Sequence, residues 1–159
     1  MNIVENGFYI VKDEFFKEFS DKYLKTNKAG NRPHYFAYRD HKTNLLWLIP
    51  MSSQVQKYQM IIDKRLSANK PCDTLHIAEL DNGKTNVFLI QDMFPITDKY
   101  IEREYTINGN HLVLSSERQI KIITQKAKKI LHLIESGTQF MPTQPNVLKI
   151  KEKLLNHPK

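Results

Sequence analysis

A histidine, two adjacent serines and a lysine stand where a single β-hairpin would bring them together. His34 opens an apolar run from 34 to 39, and a second run from 45 to 49 leads to Ser52 and Ser53. The residues between the two runs, Asp-His-Lys-Thr-Asn, are typical of a turn. Because the outer ends of a hairpin lie side by side, we expect His34 to lie close to the two serines.

The sequence changes to helical periodicity directly after this hairpin. Apolar side chains at 55, 58 and 62 are spaced as i, i+3 and i+7, which predicts a helix with Ser52 or Ser53 as its N-cap. Lys57 would then lie one turn further along, on the side of Ser53. A helix N-terminus flanked by a hydroxyl and an ammonium group favours a phosphate, and an imidazole adds proton transfer near neutral pH.

These four side chains suit the cleavage of RNA by its own 2′-hydroxyl group, which leaves a 2′,3′-cyclic phosphate and a 5′-hydroxyl. Lys57 and Ser53 would stabilise the charge on the phosphate, Ser52 would orient the phosphate or the attacking hydroxyl, and His34 would carry the proton. Each residue also has a simpler interpretation: serines often cap helices, and surface lysines are usually solvated. Whether His34 or Lys57 transfers the proton stays open at this stage.

The charge of the chain predicts a polyanionic partner. There are 24 Lys and Arg residues against 17 Asp and Glu residues, a net charge of +7. The polar loop before His34 contributes Lys25, Lys28 and Arg32 as candidate phosphate contacts. Tyr58 is a candidate for stacking on an unpaired base.

A long helix near the C-terminus carries a second set of candidate RNA contacts. The pattern predicts this helix from a serine cap at 115 or 116 to about 135, before Gly137. Opposite its apolar face, Lys121, Lys128 and His132 lie on one polar stripe together with Gln125. A solvated face is the simpler interpretation, and a nucleic-acid partner favours contact with RNA backbone.

The remaining pattern predicts an α+β fold in a single domain over residues 1–159. Three hairpins in series favour a compact, curled antiparallel β-sheet or open barrel core with peripheral α-helices. Further strands are predicted at 8–11, 75–80, 85–91, 100–107 and 111–114, and further helices at 13–23 and 146–155.

Three stretches resemble the toxins of type III toxin–antitoxin systems, most closely the CptN branch and more distantly ToxN and AbiQ. They are Asn-Arg-Pro-His-Tyr-Phe-Ala at 31–37, the run from Leu46 to Tyr58, and Phe-Leu-Ile-Gln-Asp-Met-Phe-Pro-Ile at 88–96. The resemblance implies a metal-independent endoribonuclease that cleaves cellular transcripts in abortive infection. It also implies that the toxin processes a small structured antitoxin RNA, a pseudoknot, and is held inactive by it in an RNA–protein assembly.

The distant ToxN relatives differ from this chain in the residues of greatest interest. They carry a lysine where this sequence has His34, and a Thr-Ser pair where it has Ser52 and Ser53. The role of His34 therefore depends on its local chemistry, and the spacing of Lys57 also differs from theirs.

Several classes of function are disfavoured. Cys72 is the only cysteine, which excludes a disulfide framework and a thiolate zinc site, and the acids form no metal-ligand pattern. We expect no cofactor and no metal. The sequence contains no apolar run of about 20 residues and no signal peptide, so we expect a cytoplasmic protein. The alternative function is a basic RNA-binding module without catalysis; a DNA-binding regulator is disfavoured because no helix–turn–helix spacing is present.

Overall fold

The computed structural model describes residues 1–156, which form nine strands and four α-helices. The strands are β1 (Phe8–Val11), β2 (His34–Asp40), β3 (Leu45–Ser52), β4 (His76–Glu79), β5 (Thr85–Phe88), β6 (Phe94–Ile96), β7 (Ile101–Glu104), β8 (Thr106–Ile107) and β9 (Asn110–His111). The helices are α1 (Asp13–Glu18), α2 (Val55–Ser67), α3 (Glu117–Glu135) and α4 (Val147–Asn156).

Strand β3 is the centre of an antiparallel sheet in the order β4-β5-β3-β2-β1-β7. One edge of β3 pairs with β2 along the predicted hairpin, from His34 opposite Pro50 to Asp40 opposite Leu45. The other edge is shared, because the first half of β3 pairs with β6 and its last two residues, Met51 and Ser52, pair with β5. Ser52 therefore lies where β3 ends between β2 and β5.

The predicted α+β class is confirmed, with helices around a large antiparallel sheet. Within residues 1–156 the outer strands β4 and β7 do not pair with each other, so the sheet is not a closed barrel. The open-barrel detail stays a prediction. Strands β8 and β9 form a separate small hairpin, so the single strand predicted over 100–107 is divided into β7, which pairs with β1, and β8.

The core lies against β3, all of whose residues are buried. Aromatic rings fill much of it; Phe15, for example, stacks on Phe19 and Phe94 and meets Tyr100 edge to face. Burying a side chain of this size stabilises the fold by about 1.5–3 kcal/mol. Helix α2 is different, because Tyr58 is its only buried residue, packed in a small second cluster with Leu75 and Val87.

Helix α1 is shorter than predicted. It ends at Glu18, where the following Phe19 has left helical backbone geometry. The carboxylate of Asp21 then accepts a hydrogen bond of 2.9 Å from the Tyr23 N–H, a local turn that competes with helix continuation. Phe15 and Phe19 still enter the core as the apolar pattern predicted.

Helix α3 agrees closely with its predicted ends. The Ser116 hydroxyl accepts a hydrogen bond from the Gln119 N–H at 3.3 Å, and Gly137 follows the helix with a φ of 75°. Its own residues Ile123, Ala127 and Ile130 are buried. Within residues 1–156, no helix is both long enough and apolar enough to cross a membrane.

Candidate functional site

A cavity of about 260 Å³ opens where three separate segments meet: the basic loop before β2, the end of β3 and the β4–β5 hairpin. We call this cavity the basic groove. Its polar lining residues are Lys28, Asn31, Arg32, Ser52, Ser53, Asn82, Lys84, Thr85 and Asn86, and Tyr105 closes one side.

The basic loop is held in place by Asn27, which is buried although it is polar. Its side-chain amide donates hydrogen bonds to the Val11 carbonyl at 2.8 Å and to the Asp13 carboxylate at 2.6 Å. Its own carbonyl oxygen accepts the Arg32 N–H at 2.8 Å and the Gly30 N–H at 3.0 Å. Because Gly30 has a φ of 87°, the loop can turn tightly between Lys28 and Arg32.

Arg32 is the most buried cation of the groove, with 9% of its surface exposed. Its Nη1 donates a 2.6 Å hydrogen bond to the Met51 carbonyl oxygen, whereas its buried Nε has no hydrogen-bond partner. Burial lowers the pKa of Arg32, and the charges of Tyr58 and Asp92 oppose this shift. An arginine remains cationic in such a setting, so Arg32 gives the groove a fixed positive charge.

The two serines lie at the strand-to-helix turn, but neither is the N-cap of α2. Gln54 occupies that position and its side chain makes no capping hydrogen bond, which corrects the prediction. Ser52 remains in β3, where its hydroxyl accepts the Gln54 N–H at 3.1 Å, and Ser53 is exposed. Both line the groove, so their hydroxyl groups face the same space as Lys28 and Arg32.

The β4–β5 hairpin supplies the opposite wall of the groove. Gly83, with a φ of 80°, allows its turn, and the Lys84 N–H donates to the Asn82 side-chain oxygen at 3.1 Å. Asp81 ties the hairpin to the start of α3, because its carboxylate accepts hydrogen bonds from the Ser115 N–H at 3.1 Å and from the Ser115 hydroxyl. The position of Lys84 is therefore set by a contact with a helix that begins more than thirty residues later.

The composition of the groove is suited to a phosphate backbone. Three cations, Lys28, Arg32 and Lys84, line it, and none of its lining residues in the described part of the chain is acidic. Two serine hydroxyls and three asparagine amides add hydrogen-bond donors and acceptors. Cations and neutral polar groups in one concave surface are the usual combination for binding a nucleic-acid strand.

His34 does not reach the groove, which corrects its predicted place in the site. Its ring is fully buried, 6.1 Å from the ring of Phe16 and 5.5 Å from that of Phe94. Burial, together with the charge of Arg32, lowers the pKa of His34 to about 3. Neither ring nitrogen has a hydrogen-bond partner of normal geometry, so the imidazole is a neutral part of the core.

The register of the hairpin explains this error. His34 lies opposite Pro50, two residues before Ser52, and its side chain lies on the face that packs against α1 and β6. Continuing the same register outward puts Arg32 opposite Ser52, in agreement with the bond from Arg32 to Met51. The hairpin therefore brings an arginine to the serines.

Lys57 and Tyr58 lie on α2, the helix that follows Ser53, and neither lines the groove. The Lys57 ammonium lies 5.2 Å from the centre of the Tyr58 ring, on an exposed part of the helix. Tyr58 is buried, and burial raises the pKa of its hydroxyl. The predicted stacking of a base on Tyr58 is therefore not supported, since only 6% of its surface is exposed.

Asp92 is a residue that the sequence analysis missed. It lies buried in a short 3-10 turn after β5, and burial raises its pKa to about 6, although Lys25 and Arg32 oppose the shift. Its interactions with Arg32 and Tyr58 form a buried polar cluster beside the groove. A lone acid within the apolar run 87–96 was the signal in the sequence that could have found it.

The predicted RNA contacts divide between two surfaces. Lys28 and Arg32 line the basic groove. Lys25 lies close enough to Asp92 for its charge to oppose the rise in the pKa of that carboxyl group. On α3, Lys128 and His132 line a different cavity, and Lys121 is exposed on the same helix. Among residues 1–156, no group of three or more His, Cys, Asp or Glu side chains is arranged to hold a metal ion.

Comparisons with known proteins add the fold family. No protein-family profile matches the chain, and no curated protein matches its sequence. Among solved structures, AbiQ, a lactococcal anti-phage endoribonuclease of a type III toxin–antitoxin system, superposes with a TM-score of 0.70 at 12% identity, covering 93% of this chain and 94% of AbiQ.

This chain has the fold of the type III toxin endoribonucleases.

Two further structures agree with AbiQ. One comes from a bacterial antiviral system that a processed non-coding RNA regulates, with a TM-score of 0.67, 12% identity and coverage of 96% of this chain and 99% of the other. The second comes from a bacterial type III system in which a non-coding RNA pseudoknot selectively inhibits the toxin, with a TM-score of 0.64, 16% identity and coverage of 95% and 96%. The predicted resemblance to ToxN and AbiQ is therefore confirmed as a distant relationship in fold.

Proposed function

We propose that residues 1–159 form one endoribonuclease toxin domain of a type III toxin–antitoxin system, acting on RNA in the cytoplasm without a metal ion. The observation that carries this proposal is the basic groove, where two serine hydroxyls lie beside three cations in a chain with this fold. A groove of this charge and concave shape suits a single RNA strand, whose bases can be unstacked.

The reaction that we propose is an internal transesterification. The 2′-oxygen forms a bond to phosphorus as the bond from phosphorus to the 5′-oxygen breaks, giving a 2′,3′-cyclic phosphate and a 5′-hydroxyl. The proton of the 2′-hydroxyl passes to solvent water, and the departing 5′-oxygen receives one proton in its place. Arg32, through its fixed positive charge, and Lys84 would stabilise the extra negative charge on the phosphate oxygens, and Ser52 and Ser53 would orient the phosphate.

The proton carrier is assigned by exposure. His34 is buried and neutral, whereas Lys57 is exposed on the first turn of α2, close in sequence to Ser53. We therefore assign proton transfer toward the leaving oxygen to Lys57 and give His34 a structural role. The rate then depends mainly on positioning and charge stabilisation, which together supply a large part of the barrier reduction in many enzymes.

The proposed partner is a small structured antitoxin RNA. The structures of similar fold come from systems in which a non-coding RNA regulates or inhibits the toxin. By analogy, this chain would process a repeated precursor RNA and remain bound to the product in an RNA–protein assembly. Lys25, Lys28, Arg32 and Lys121 are proposed backbone contacts, together with Lys128 and His132.

The deciding experiment uses purified, RNA-free protein, a long single-stranded RNA and excess EDTA, with chemical analysis of the product ends. We expect cyclic-phosphate and 5′-hydroxyl ends. Ser53→Ala, which removes one exposed hydroxyl from the groove, should lower the rate on the order of 100-fold without changing stability. Ser67→Ala, at the far end of α2, is the matched control and should cleave at the wild-type rate.

The alternative function, a basic RNA-binding module without catalysis, is favoured by one observation: no imidazole from residues 1–156 lines the groove. In the same experiment that module would shift the RNA on a gel and leave it intact. Cleavage that stops in EDTA would contradict the metal-independent mechanism instead.

A further inference from the structure

A second cavity, of about 190 Å³, lies on a different surface from the basic groove, between β2 and the C-terminal half of α3. Ala37 and Tyr38 of β2 form one wall, and α3 forms the other. We call it the α3 pocket. None of its lining residues lines the basic groove, so the cleavage step proposed above does not use the pocket, although Lys128 and His132 are among the proposed backbone contacts.

The interior of the α3 pocket is largely apolar. Ala127, Leu131 and Met93 line it, and Tyr38 lies at its edge with 39% of its surface exposed. An exposed tyrosine ring beside an apolar cleft offers a stacking surface, and every nucleobase has a π-face that can use it. A cleft of this volume accommodates one planar ring and not a base pair in a duplex.

The rim of the pocket is charged in a way that suits a nucleic-acid strand. Lys128 and His132 lie on its α3 wall, and Lys121 lies two turns earlier on the same helix. Glu135, the one acid of the rim within residues 1–156, is already paired with Lys151 at 3.1 Å, so it adds little net negative charge. The apolar interior suits the base of an unpaired nucleotide, and the cations of the rim suit its phosphate.

The α3 pocket and the basic groove are joined by strand β2. Arg32 lies just before the strand in the groove, and Tyr38 lies within it at the pocket. Six residues of extended chain span about 20 Å. One RNA molecule can therefore contact both sites at once, which would add the affinity of one to the other.

We propose that the α3 pocket binds one unpaired nucleobase of an RNA, with Tyr38 stacked on its face and Lys128 on the neighbouring phosphate. Thr124 and Glu135 offer oxygen atoms that can accept hydrogen bonds from the base edge. The choice of RNA as the partner rests on the proposed function. The pocket itself is a binding site outside the groove, and it holds the RNA without contacting the bond that is cleaved.

The test measures binding of a fluorescein-labelled single-stranded RNA whose 2′-fluoro groups prevent cleavage. Tyr38→Ala should raise the Kd on the order of tenfold, whereas Tyr38→Phe, which keeps the ring, should leave it within about twofold. Lys128→Ala should weaken binding and reduce its dependence on salt. Lys129→Ala is the matched control, since it removes the same charge from the next residue, which contacts Asp73 on another side of the helix.

A set of probes with one abasic position each makes the test specific for a base. Wild-type protein should lose affinity at one abasic position, and Tyr38→Ala should lose no more at that same position, because the stacking partner is already absent. The proposal is overturned if the loss of affinity from the abasic position and the loss from Tyr38→Ala multiply when the two are combined. It is also overturned if Tyr38→Ala and Lys128→Ala both bind the RNA as the wild type does. A change in self-association in Tyr38→Ala, with unchanged RNA affinity, would assign the pocket to a second copy of the chain.

Parallel cleavage of the unmodified RNA separates this proposal from the proposed function. Protein that cleaves RNA but shows no effect of Tyr38→Ala on affinity would overturn the α3 pocket alone. Protein that neither cleaves nor binds RNA would overturn both. Protein that binds but does not cleave, with the expected loss in Tyr38→Ala, would support the pocket and contradict the endoribonuclease.

Discussion

The guanidinium of Arg32 donates a 2.6 Å hydrogen bond to the main-chain oxygen of Met51, the residue directly before Ser52. This bond ties the basic loop to the end of β3, and it leaves Nε of the same side chain without a partner. Arg32 therefore shapes the groove and also gives it a fixed positive charge. A side chain with both roles should affect stability and RNA binding together.

Arg32→Ala should lower the free energy of unfolding by about 2 kcal/mol, because it removes a buried charged donor and leaves the Met51 oxygen without its partner. It should also weaken RNA binding. Urea denaturation and RNA titration measure the two effects. Arg103→Ala, an equal loss of charge at an exposed position on β7, should change neither by more than a small amount, and equal effects of both variants would show that charge alone is involved.

Lys84→Ala tests whether the β4–β5 hairpin is a wall of an RNA site. The lysine is exposed and lines the groove, so its loss should leave the fold intact and remove one phosphate contact. We expect weaker RNA binding and a plot of log K against log salt whose slope is smaller by about 1. Lys70→Ala, exposed in the loop after α2, is the control; the same slope in both variants would exclude Lys84 from the interface.

His34→Leu tests the buried imidazole. The pKa of His34 is about 3 in the folded chain and near 6.5 in the unfolded chain, so between these values the unfolded state binds more protons. Stability is therefore retained above pH 6.5 and lost as the pH falls toward 3. Between pH 7 and pH 5, the free energy of unfolding of the wild type should therefore fall by about 2 kcal/mol relative to that of the leucine variant.

The measurement is urea denaturation of both proteins across this pH range, with RNA cleavage assayed at pH 7. Because His34 does not line the groove, we expect the leucine variant to cleave RNA at close to the wild-type rate. A variant that folds normally but does not cleave would return the histidine to the catalytic set. Parallel pH curves for the two proteins would contradict the burial of a neutral ring.

Asp92→Asn should change the pH dependence with the opposite sign. Burial raises the pKa of Asp92 to about 6, above the ordinary value of 3.8, so the folded state binds more protons in this window. Its contribution to stability is largest below pH 3.8 and is lost as the pH rises through 6. As the pH falls from 7 to 5, the free energy of unfolding of the wild type should rise by about 1 kcal/mol relative to that of the asparagine variant.

This gain partly offsets the loss of stability that His34 causes. The free energy of unfolding of the wild type should therefore change less between pH 7 and pH 5 than that of the asparagine variant. Denaturation of Asp92→Asn and of the double variant with His34→Leu separates the two contributions. If Asp92→Asn had the same pH profile as the wild type, the carboxylate would be solvated and the buried cluster would be absent.

Features that depend on neighbouring residues were predicted well from the sequence. The β2–β3 hairpin follows from two apolar runs around a turn, and α3 follows from its periodicity, its cap at Ser116 and its end before Gly137. The hairpin also brings its own two ends together, and the structure places Lys28 and Arg32 with the serines, where the sequence had predicted His34. Local signals carry this information, since turn and cap preferences act over a few residues.

Tertiary packing decided the rest. His34 lies in the core because the strand register directs its ring to the side covered by Phe16 and Phe94, which come from segments far away in the chain. Lys84 lies in the groove because Asp81 binds Ser115 at the start of α3. The side chains of a strand alternate between two faces, so a pattern predicts the strand but not which face becomes buried; that depends on which distant elements pack against it.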